Sequence, residues 1–485
     1  MWKSGSIIIL LCLLVVTSCK HDFEEINTNP YGFNDVEPKF LLSTAITKTA
    51  YELQHVSVLD HPGEAGRYIT MVRNETMDKF LWGPQDWRET YARLTTIQHL
   101  IFEAEKYEQP QYLPLAKILR VINFSYLTDL WGDVPYTKAA LAYKGVYTPA
   151  YDPQETIYPA LLDELNSANL TLASPLPAID PNYDMLFHGD VLKWRKLANS
   201  LRLRLLLRCS KKYTHATIIL KTMLDDPYTY PIITQNADNA QLPYLGSRAE
   251  DSWPFSDLAN GYDEFDKRKP SKDLVDRLKA LNDPRLPIMV AKVNRKEGAI
   301  VDTSDYVGVP NALPDPSKYN GGNDHMSHFS DAFNQPSGNF NKATFITAAE
   351  VYFILAEIVQ IGKVKVPNEN AASLYYKGIA ASMDYYGAQE PEDYYEQPSV
   401  KYDGTLRQLI HQKWIAQLFV GIEGWMDHRR TGYPQFVLGP LAVQPTIPLR
   451  FMYPLEESLY NYEEYNKAKI RMGGDLQDTK MWLIK

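Results

Sequence analysis

Two segments of the chain combine aromatic rings with planar polar side chains, a combination suited to binding sugars. A sugar offers an apolar C–H face that stacks on a ring, and its hydroxyls bond to amide, carboxylate and guanidinium groups. Trp82 in segment 73–87 and Trp253 in segment 251–255 lie in turn-rich sequence, where exposure is expected. We predict that both rings are stacking platforms; the alternative is that each anchors its loop by packing inward. The side chains predicted to complete the site are Arg73, Asn74, Asp86, Tyr306, Tyr319, Asn320 and Asp324.

Covalent chemistry is disfavoured by the motifs of the chain. It has no G-x-S-x-G elbow, no H-E-x-x-H helix and no phosphate-binding glycine loop, and Cys209 ends an apolar stretch without a histidine partner. Carboxylates are numerous, so counting them does not exclude a glycosidase pair. Glu423 and Asp427 stand four residues apart before two arginines, which favours a salt-bridged helix face. We predict that the protein is not an enzyme.

Metal and nucleic-acid binding are also disfavoured. His325 and His328 have ligand-like spacing, but two histidines in a polar loop are a weak signal without further ligands. The formal net charge is −9, and no cluster of Lys and Arg offsets it. An acidic surface repels nucleic acid. We therefore predict no metal, no other cofactor and no nucleic-acid partner.

The N-terminus has the pattern of a bacterial lipoprotein. Lys3 precedes an apolar run over 7–16, and two small residues then lead to Cys19. This pattern predicts a signal peptide over 1–18 and a lipidated cysteine at 19, with a polar tether over 19–36. The alternative is an ordinary signal peptide cut at another residue. We expect lipid to be the protein's attachment to the membrane, because no later stretch is apolar enough to span it.

Helical periodicity dominates the rest of the chain. Apolar residues recur at spacings of three and four, and Asp190 is placed to cap one of the helices. Such helices in pairs predict an all-α fold with tetratricopeptide-like units, in which Trp87 begins a helix and packs inward. The predicted helices cover 88–107, 114–130, 190–209, 345–361 and 405–420.

One long segment departs from this pattern. Residues 226–344 are rich in Pro, Gly, Asn, Asp and Tyr, with a strand-like run over 288–293. Long ordered loops usually carry function. We predict a single helical domain over 37–485, with a loop-rich insertion at about 226–344 that contributes to the ligand site.

Six motifs, in order along the chain, resemble those of the SusD/RagB-like outer-membrane lipoproteins of Bacteroidetes. The first, FEEINTNP, follows Cys19, and TDLWGDVPY resembles the family's turn after a central helix. WRKLANSLRLR and AAEVYFILAE resemble two family helices, and QKWIA and GWMDHRRTGYP resemble segments near the C-terminus. These motifs occupy 23–30, 128–136, 194–204, 348–357, 412–416 and 424–434.

The resemblance implies a function that the motifs themselves do not perform. Family members are anchored by lipid at the outer membrane and form lids on a SusC-like TonB-dependent transporter, to which they deliver oligosaccharides or peptides. The resemblance thus implies a surface-exposed nutrient-binding protein, and the aromatic segments favour a glycan. Three alternatives stay open: a peptide ligand, a helical-repeat scaffold that binds its transporter alone, and a hydrolase. The motifs are scaffold elements, so no ligand residue transfers from the family.

Overall fold

Long helices packed in successive pairs make up the first part of the protein. The computed structural model describes residues 35–73, 75–293, 298–300 and 305–485. Helix α1 packs against α4, α4 against α5, α5 against α6, and α6 against α7. The elements of this part are α1 (Pro38–Leu59), α2 (His61–Ala65), β1 (Ile69–Met71), α3 (Glu75–Asp78), α4 (Arg88–Lys106), α5 (Leu113–Trp131), β2 (Val134–Pro135), β3 (Tyr151–Asp152), α6 (Gln154–Leu172), α7 (Val191–Cys209) and α8 (Ala216–Asp225).

Short elements alternate with loops through the middle of the chain. They are β4 (Ala240–Pro243), α9 (Asp257–Asn260), α10 (Tyr262–Asp266), β5 (Arg268–Pro270), α11 (Lys272–Ala280), α12 (Leu286–Met289) and β6 (Lys342–Ile346). The strands of the described residues form antiparallel pairs, β1 with β5, β2 with β3, and β4 with β6. These pairs tie the loop-rich middle to the helices on either side of it.

The last part of the chain returns to helices. Helices α13 and α14 form the most closely packed pair, and α15 lies against both. The elements are α13 (Ala348–Gln360), α14 (Ala371–Tyr386), α15 (Leu406–Ala416), α16 (Glu423–Thr431), α17 (Glu457–Tyr460) and α18 (Tyr462–Met472). The predicted fold class, mostly α-helical with paired helices, is confirmed.

Local sequence signals explain where the main helices begin and end. Asp190 caps α7 as predicted, because its carboxylate accepts the backbone N–H of Lys193 at 3.0 Å. Pro114 lies in the first turn of α5, where its missing N–H costs nothing. Gly132 ends α5 with φ of +88°, and a Cβ there would lie 2.7 Å from the sulfur of Met472. The glycine of this motif is therefore required by both its backbone conformation and its close packing.

The hydrophobic core is continuous along the chain. One cluster of buried apolar side chains includes Leu42 near the start and Leu483 near the end. Ion pairs lie within it: Arg204 of α7 binds Glu350 of α13 with 2.6 Å between Nη2 and Oε2, and Arg208 binds Asp129 and Glu423. These buried ion pairs fix α5, α7, α13 and α16 relative to one another, because an unpaired charge there would be costly.

Two predicted elements differ from the structure. The helix predicted over 345–361 begins at Ala348, because residues 342–346 form β6 and pair with β4 instead. The strand predicted over 288–293 is mostly absent: Leu286–Met289 is a helical turn, and Val290 makes an isolated bridge with Phe329. A short apolar run does not by itself distinguish a strand from a buried helical turn.

Some predictions for the N-terminus concern residues that the structure does not describe. The signal peptide, Cys19 and the tether before residue 35 all lie outside the described residues. Among those that are described, no helix has both the length and the apolar character needed to cross a membrane.

Candidate ligand-binding groove

The structure corrects the expectation that Trp82 is exposed. Its side chain is 5% exposed and its Nε1–H donates to the carbonyl of Met77 at 3.2 Å. The ring makes edge contacts with His61, at 4.6 Å between centroids, and with Trp425 and Phe451. Trp82 thus anchors its turn in an aromatic cluster, and the turn-rich sequence around it covers the core.

Trp253 is buried as well, which corrects the second predicted platform. It is 1% exposed, and its backbone N–H donates to Pro336 at 2.8 Å. Its ring meets Tyr244 edge-on at 5.8 Å and Phe419 at 6.1 Å between centroids. The ring of Trp253 therefore has no exposed face for a ligand, and it packs against the ring of Tyr244.

The polar residues of the first predicted segment are engaged in local contacts. Arg73 pairs with Asp263 and Asp266, at 2.9 Å each. Asp86 accepts from the Nε–H of Arg88 at 2.6 Å. Burial acts to raise the pKa of Asp86, but the hydrogen bonds from Arg88 outweigh it and hold this pKa below its ordinary value. Asn74 lies outside the described residues.

The predicted residues of the later loops form a separate group. Asn320 is buried and donates to the carbonyl of His325 at 3.0 Å, which is a structural role. Tyr319 is half-buried against a small apolar cluster, and Lys292 lies 5.8 Å from the ring centroid of Tyr306. Asp324 is exposed. The structure therefore brings Arg73 near this loop group but does not bring Trp82 or Trp253 to it.

His328, one of the two histidines of the loop, belongs to a charged group with Asp266 and Lys269. His328 Nε2 lies 2.7 Å from Asp266 and 2.6 Å from the buried Nζ of Lys269, whose pKa burial lowers to about 8. These hydrogen bonds outweigh burial and hold the pKa of Asp266 below its ordinary value. In the described part of the chain no three His, Cys, Asp or Glu side chains form a group able to hold a metal. The contacts assign Asp266, Lys269 and His328 to a structural network.

A large groove lies elsewhere, between α1 and the segment that follows β4. Its cavity measures about 970 Å³. One wall is the face of α1 that carries Thr47, Lys48, Tyr51, Glu52 and His55, at helical spacings of three and four. The facing wall runs from Leu242 through Asn260, and the rim is completed by Glu89, Arg93, Met185 and His188.

The two walls are held in register by hydrogen bonds to β6. Gln54 of α1 accepts the backbone N–H of Thr344 at 3.1 Å, while β6 pairs with β4 through Leu242 and Ala343. The segment after β4 therefore leaves at a fixed position relative to α1. This positions Tyr244 opposite Tyr51.

The aromatic surface of the groove is the ring of Tyr51, which stacks on the buried ring of Tyr244. The rings of Tyr51 and Tyr244 lie 4.3 Å apart between centroids and 15° from parallel. Tyr51 is half-buried and its hydroxyl lies 3.4 Å from the carbonyl of Pro243. Tyr244 is buried, its hydroxyl has no hydrogen-bond partner within the part of the chain that the structure describes, and burial raises the pKa of that hydroxyl well above its usual range.

Charged side chains of both signs surround these rings. Arg93 donates from Nε to Asn123 at 3.0 Å, and its Nη1 lies 3.9 Å from Glu52. Asp251 accepts the backbone N–H groups of Ser247 and Arg248, and the bond from Arg248 lowers its pKa most. Lys48 and His55 lie exposed along α1. A polar ligand with an apolar face can stack on the planar ring and form hydrogen bonds with the positively and negatively charged side chains beside it.

The sequence did not reveal Tyr51 or Tyr244 as site residues. Tyr244 follows a strand and Tyr51 lies mid-helix, so neither has the turn-rich surroundings that marked Trp82 and Trp253. The available signal was the stripe of polar residues at 47, 48, 51, 52 and 55, which share one face of the helix. A stripe of that kind marks an open face of the helix, although not its partner.

Comparisons with known proteins place these features in context. A family model named SusD-like, described as starch-binding and associating with the outer membrane, matches residues 31–454. No curated protein matches the chain. A SusD homologue from Bacteroides fragilis is 26% identical, with a TM-score of 0.77 over 93% of this chain and 99% of that one.

Two further solved structures have the same fold. A second SusD homologue from Bacteroides fragilis is 23% identical, with a TM-score of 0.79 over 93% of this chain and all of that one. A chitin-binding protein is 25% identical, with a TM-score of 0.74 over 91% of this chain and 99% of that one. The matches extend over nearly the full length of each solved chain.

Proposed function

Because this chain belongs to the SusD-like family of starch-binding proteins that associate with the outer membrane, we propose that its groove binds a nutrient oligosaccharide at the cell surface. The family resemblance inferred from the six motifs is confirmed. The observation that carries the proposal is the half-buried ring of Tyr51 in the groove, which stacks on the buried Tyr244 and has charged and polar side chains around it. Sugars stack on such rings and bond to such rims.

The size of the groove supports an oligosaccharide. Sites for small molecules measure about 300–1,000 Å³, and this cavity of about 970 Å³ is at the upper end. Lining residues of both walls, such as Lys48 and Leu245, are exposed, so a bound polymer could continue into solvent beyond the site. The chitin-binding protein of similar fold also favours a glycan over a peptide.

The proposal includes anchoring and delivery. We infer that Cys19 carries lipid at the outer membrane, that a SusC-like TonB-dependent transporter is the partner, and that the protein performs no chemistry on its ligand. A site built on one stacked pair and a solvated rim gives modest affinity, since each aromatic contact contributes about 0.5–1.5 kcal/mol. Modest affinity allows release to a transporter.

The test is glycan binding by the mature protein and by groove variants. Isothermal titration with starch and chitin oligosaccharides should detect binding that Tyr51→Ala weakens about 3- to 10-fold. Tyr51→Phe should retain most of the affinity because it keeps the ring. Tyr228→Ala is the matched control, since Tyr228 is 90% exposed and lies outside the groove.

Three results would contradict the proposal. The first is that no member of a broad glycan panel binds. The second is that a glycan binds and Tyr51→Ala binds it as well as the unaltered protein does. The third is binding of peptides alone, blocked by Tyr51→Ala, which would assign the groove to the peptide alternative.

A further inference from the structure

A second groove opens beside the first, and nothing above assigns a role to it. Its cavity measures about 320 Å³. Its floor is formed by Trp87 and Tyr91. Its outer wall is the loop between β2 and β3, which contributes Ala139, Ala140, Leu141, Ala142, Val146 and Tyr147. The floor rings belong to a packed aromatic cluster, so the groove has a rigid base: Trp87 meets Tyr91 at 5.4 Å and Trp131 at 5.6 Å between centroids.

The two grooves share one wall, the first turns of α4. Arg88 and Tyr91 line the second groove, whereas Glu89 and Arg93 line the first. Arg88 and Glu89 are consecutive residues, so the openings lie on two sides of a single helix end. A helix with its side chains is about 10–12 Å across, and a flexible polymer can pass over such a ridge.

The second groove has the chemistry of a sugar subsite. Tyr147 lines it with 63% of the residue exposed, so its ring is accessible to a ligand from solvent. Polar side chains line the same groove: Arg88 is held by Asp86 at 2.6 Å, Lys138 is exposed, and Glu457 accepts from the hydroxyl of Tyr151 at 2.6 Å. Apolar loop residues with a ring and a few fixed polar groups form the same combination as in the first groove.

We propose that this second groove is a further subsite for the same glycan, which occupies both grooves by passing over the N-terminal turn of α4. The proposal rests on the proposed function, because it takes the ligand class from the first groove. Occupying a second subsite on one chain is an intramolecular event, so it raises affinity without any tight individual contact. Short oligosaccharides that fill one groove gain nothing from the second.

The test measures affinity against oligosaccharide length. For the glycan that binds the unaltered protein, affinity should rise with length and then level off. Tyr147→Ala should weaken binding about 3- to 10-fold for the long oligosaccharides and leave the short ones unchanged. Tyr51→Ala should weaken all lengths. Tyr228→Ala controls for loss of an exposed tyrosine, and Lys138→Ala is a second variant of the same groove that should act in the same direction.

Several outcomes would overturn the two-groove proposal and leave the proposed function intact. One is that Tyr147→Ala and Lys138→Ala bind long oligosaccharides normally while Tyr51→Ala does not. Another is that affinity does not depend on length. A third is that both second-groove variants lose association with the transporter but keep full glycan affinity, which would make the groove a protein contact. Failure of every glycan to bind would overturn both proposals together.

Discussion

Tyr51 of α1 stacks on Tyr244, which is supported in turn by the buried Trp253. The stack joins the first long helix to the loop-rich middle of the chain, and the platform of the groove is thus built on two rigid layers. A ring fixed in this way loses little conformational freedom when it binds a ligand. The same arrangement leaves the buried hydroxyl of Tyr244 without a hydrogen-bond partner among the described residues.

That hydroxyl leads to the first prediction. An unsatisfied buried polar group costs about 1–3 kcal/mol, so Tyr244→Phe should unfold at the same urea concentration as the unaltered protein or at a higher one. Tyr244→Ala removes the whole ring and should lower the free energy of unfolding by about 3–5 kcal/mol. Tyr375→Phe is the matched control: its buried hydroxyl donates to Val400 at 2.8 Å, so its loss should destabilise. Equal destabilisation by the two Phe variants would contradict the prediction.

The second prediction concerns the two buried tryptophans. Trp82→Ala and Trp253→Ala should each lower the free energy of unfolding by about 3–5 kcal/mol, because a large ring leaves the core. Tyr51→Ala should destabilise less, since its ring is half-buried. Thermal unfolding followed by circular dichroism measures the difference. If a tryptophan variant has normal stability but lower glycan affinity, that tryptophan binds the ligand and the prediction is wrong.

The helices could be predicted from the sequence because the residues that determine each helix lie close together in the chain. The periodicity and cap of α7 lie within about 20 residues, and the structure begins that helix one residue after Asp190. The family motifs are likewise contiguous, since TDLWGDVPY encodes a helix end and the glycine that it requires. Fold class could therefore be predicted without any knowledge of long-range contacts.

The ligand groove could not be predicted in the same way. Tyr51 and Tyr244 meet only after β4 pairs with β6 and β6 docks on α1. Turn-rich sequence predicted exposure for Trp82 and Trp253, yet a turn can lie over the core with its largest ring inward, and both do. Burial of a side chain depends on what packs against it from distant parts of the chain, which local composition does not contain.

The third prediction tests the membrane anchor. Cys19→Ala should move the protein from the outer membrane to the supernatant or periplasm, because the pattern over 1–18 predicts lipid on this cysteine. One acyl chain gives weak, reversible attachment, so stable anchoring requires more than one chain on the cysteine. Cell fractionation with an antibody to the protein measures the effect. Unchanged outer-membrane retention of the variant would contradict the assignment, and Cys209→Ala, a buried thiol of α7, controls for loss of a cysteine.

The fourth prediction concerns pH and two buried carboxyl groups. Glu64 and Asp78 are each 1% exposed and lie near Arg67. Burial and the neighbouring Asp78 raise the pKa of Glu64, and burial raises the pKa of Asp78 to about 7. An aspartate of the unfolded chain has a pKa of about 3.9. Between these two values the unfolded chain has released the proton and the folded protein retains it, so stability falls as pH rises from about 4 to about 7 and stays low above that.

Urea unfolding at pH 5 and pH 8 measures this contribution. In Asp78→Asn the side chain is neutral at both pH values, and its oxygen can still accept the backbone N–H of Ala312, which lies 2.5 Å from Asp78 in the native protein. The loss of stability from pH 5 to pH 8 should therefore be smaller in the variant, by on the order of 2 kcal/mol. Asp226→Asn is the control, because Asp226 is exposed and hydrogen bonds from Thr229 lower its pKa, which places its titration below pH 5. If Asp78→Asn and the control lose the same stability as the unaltered protein, Asp78 is ionised in the fold at neutral pH and Arg67 has compensated its burial.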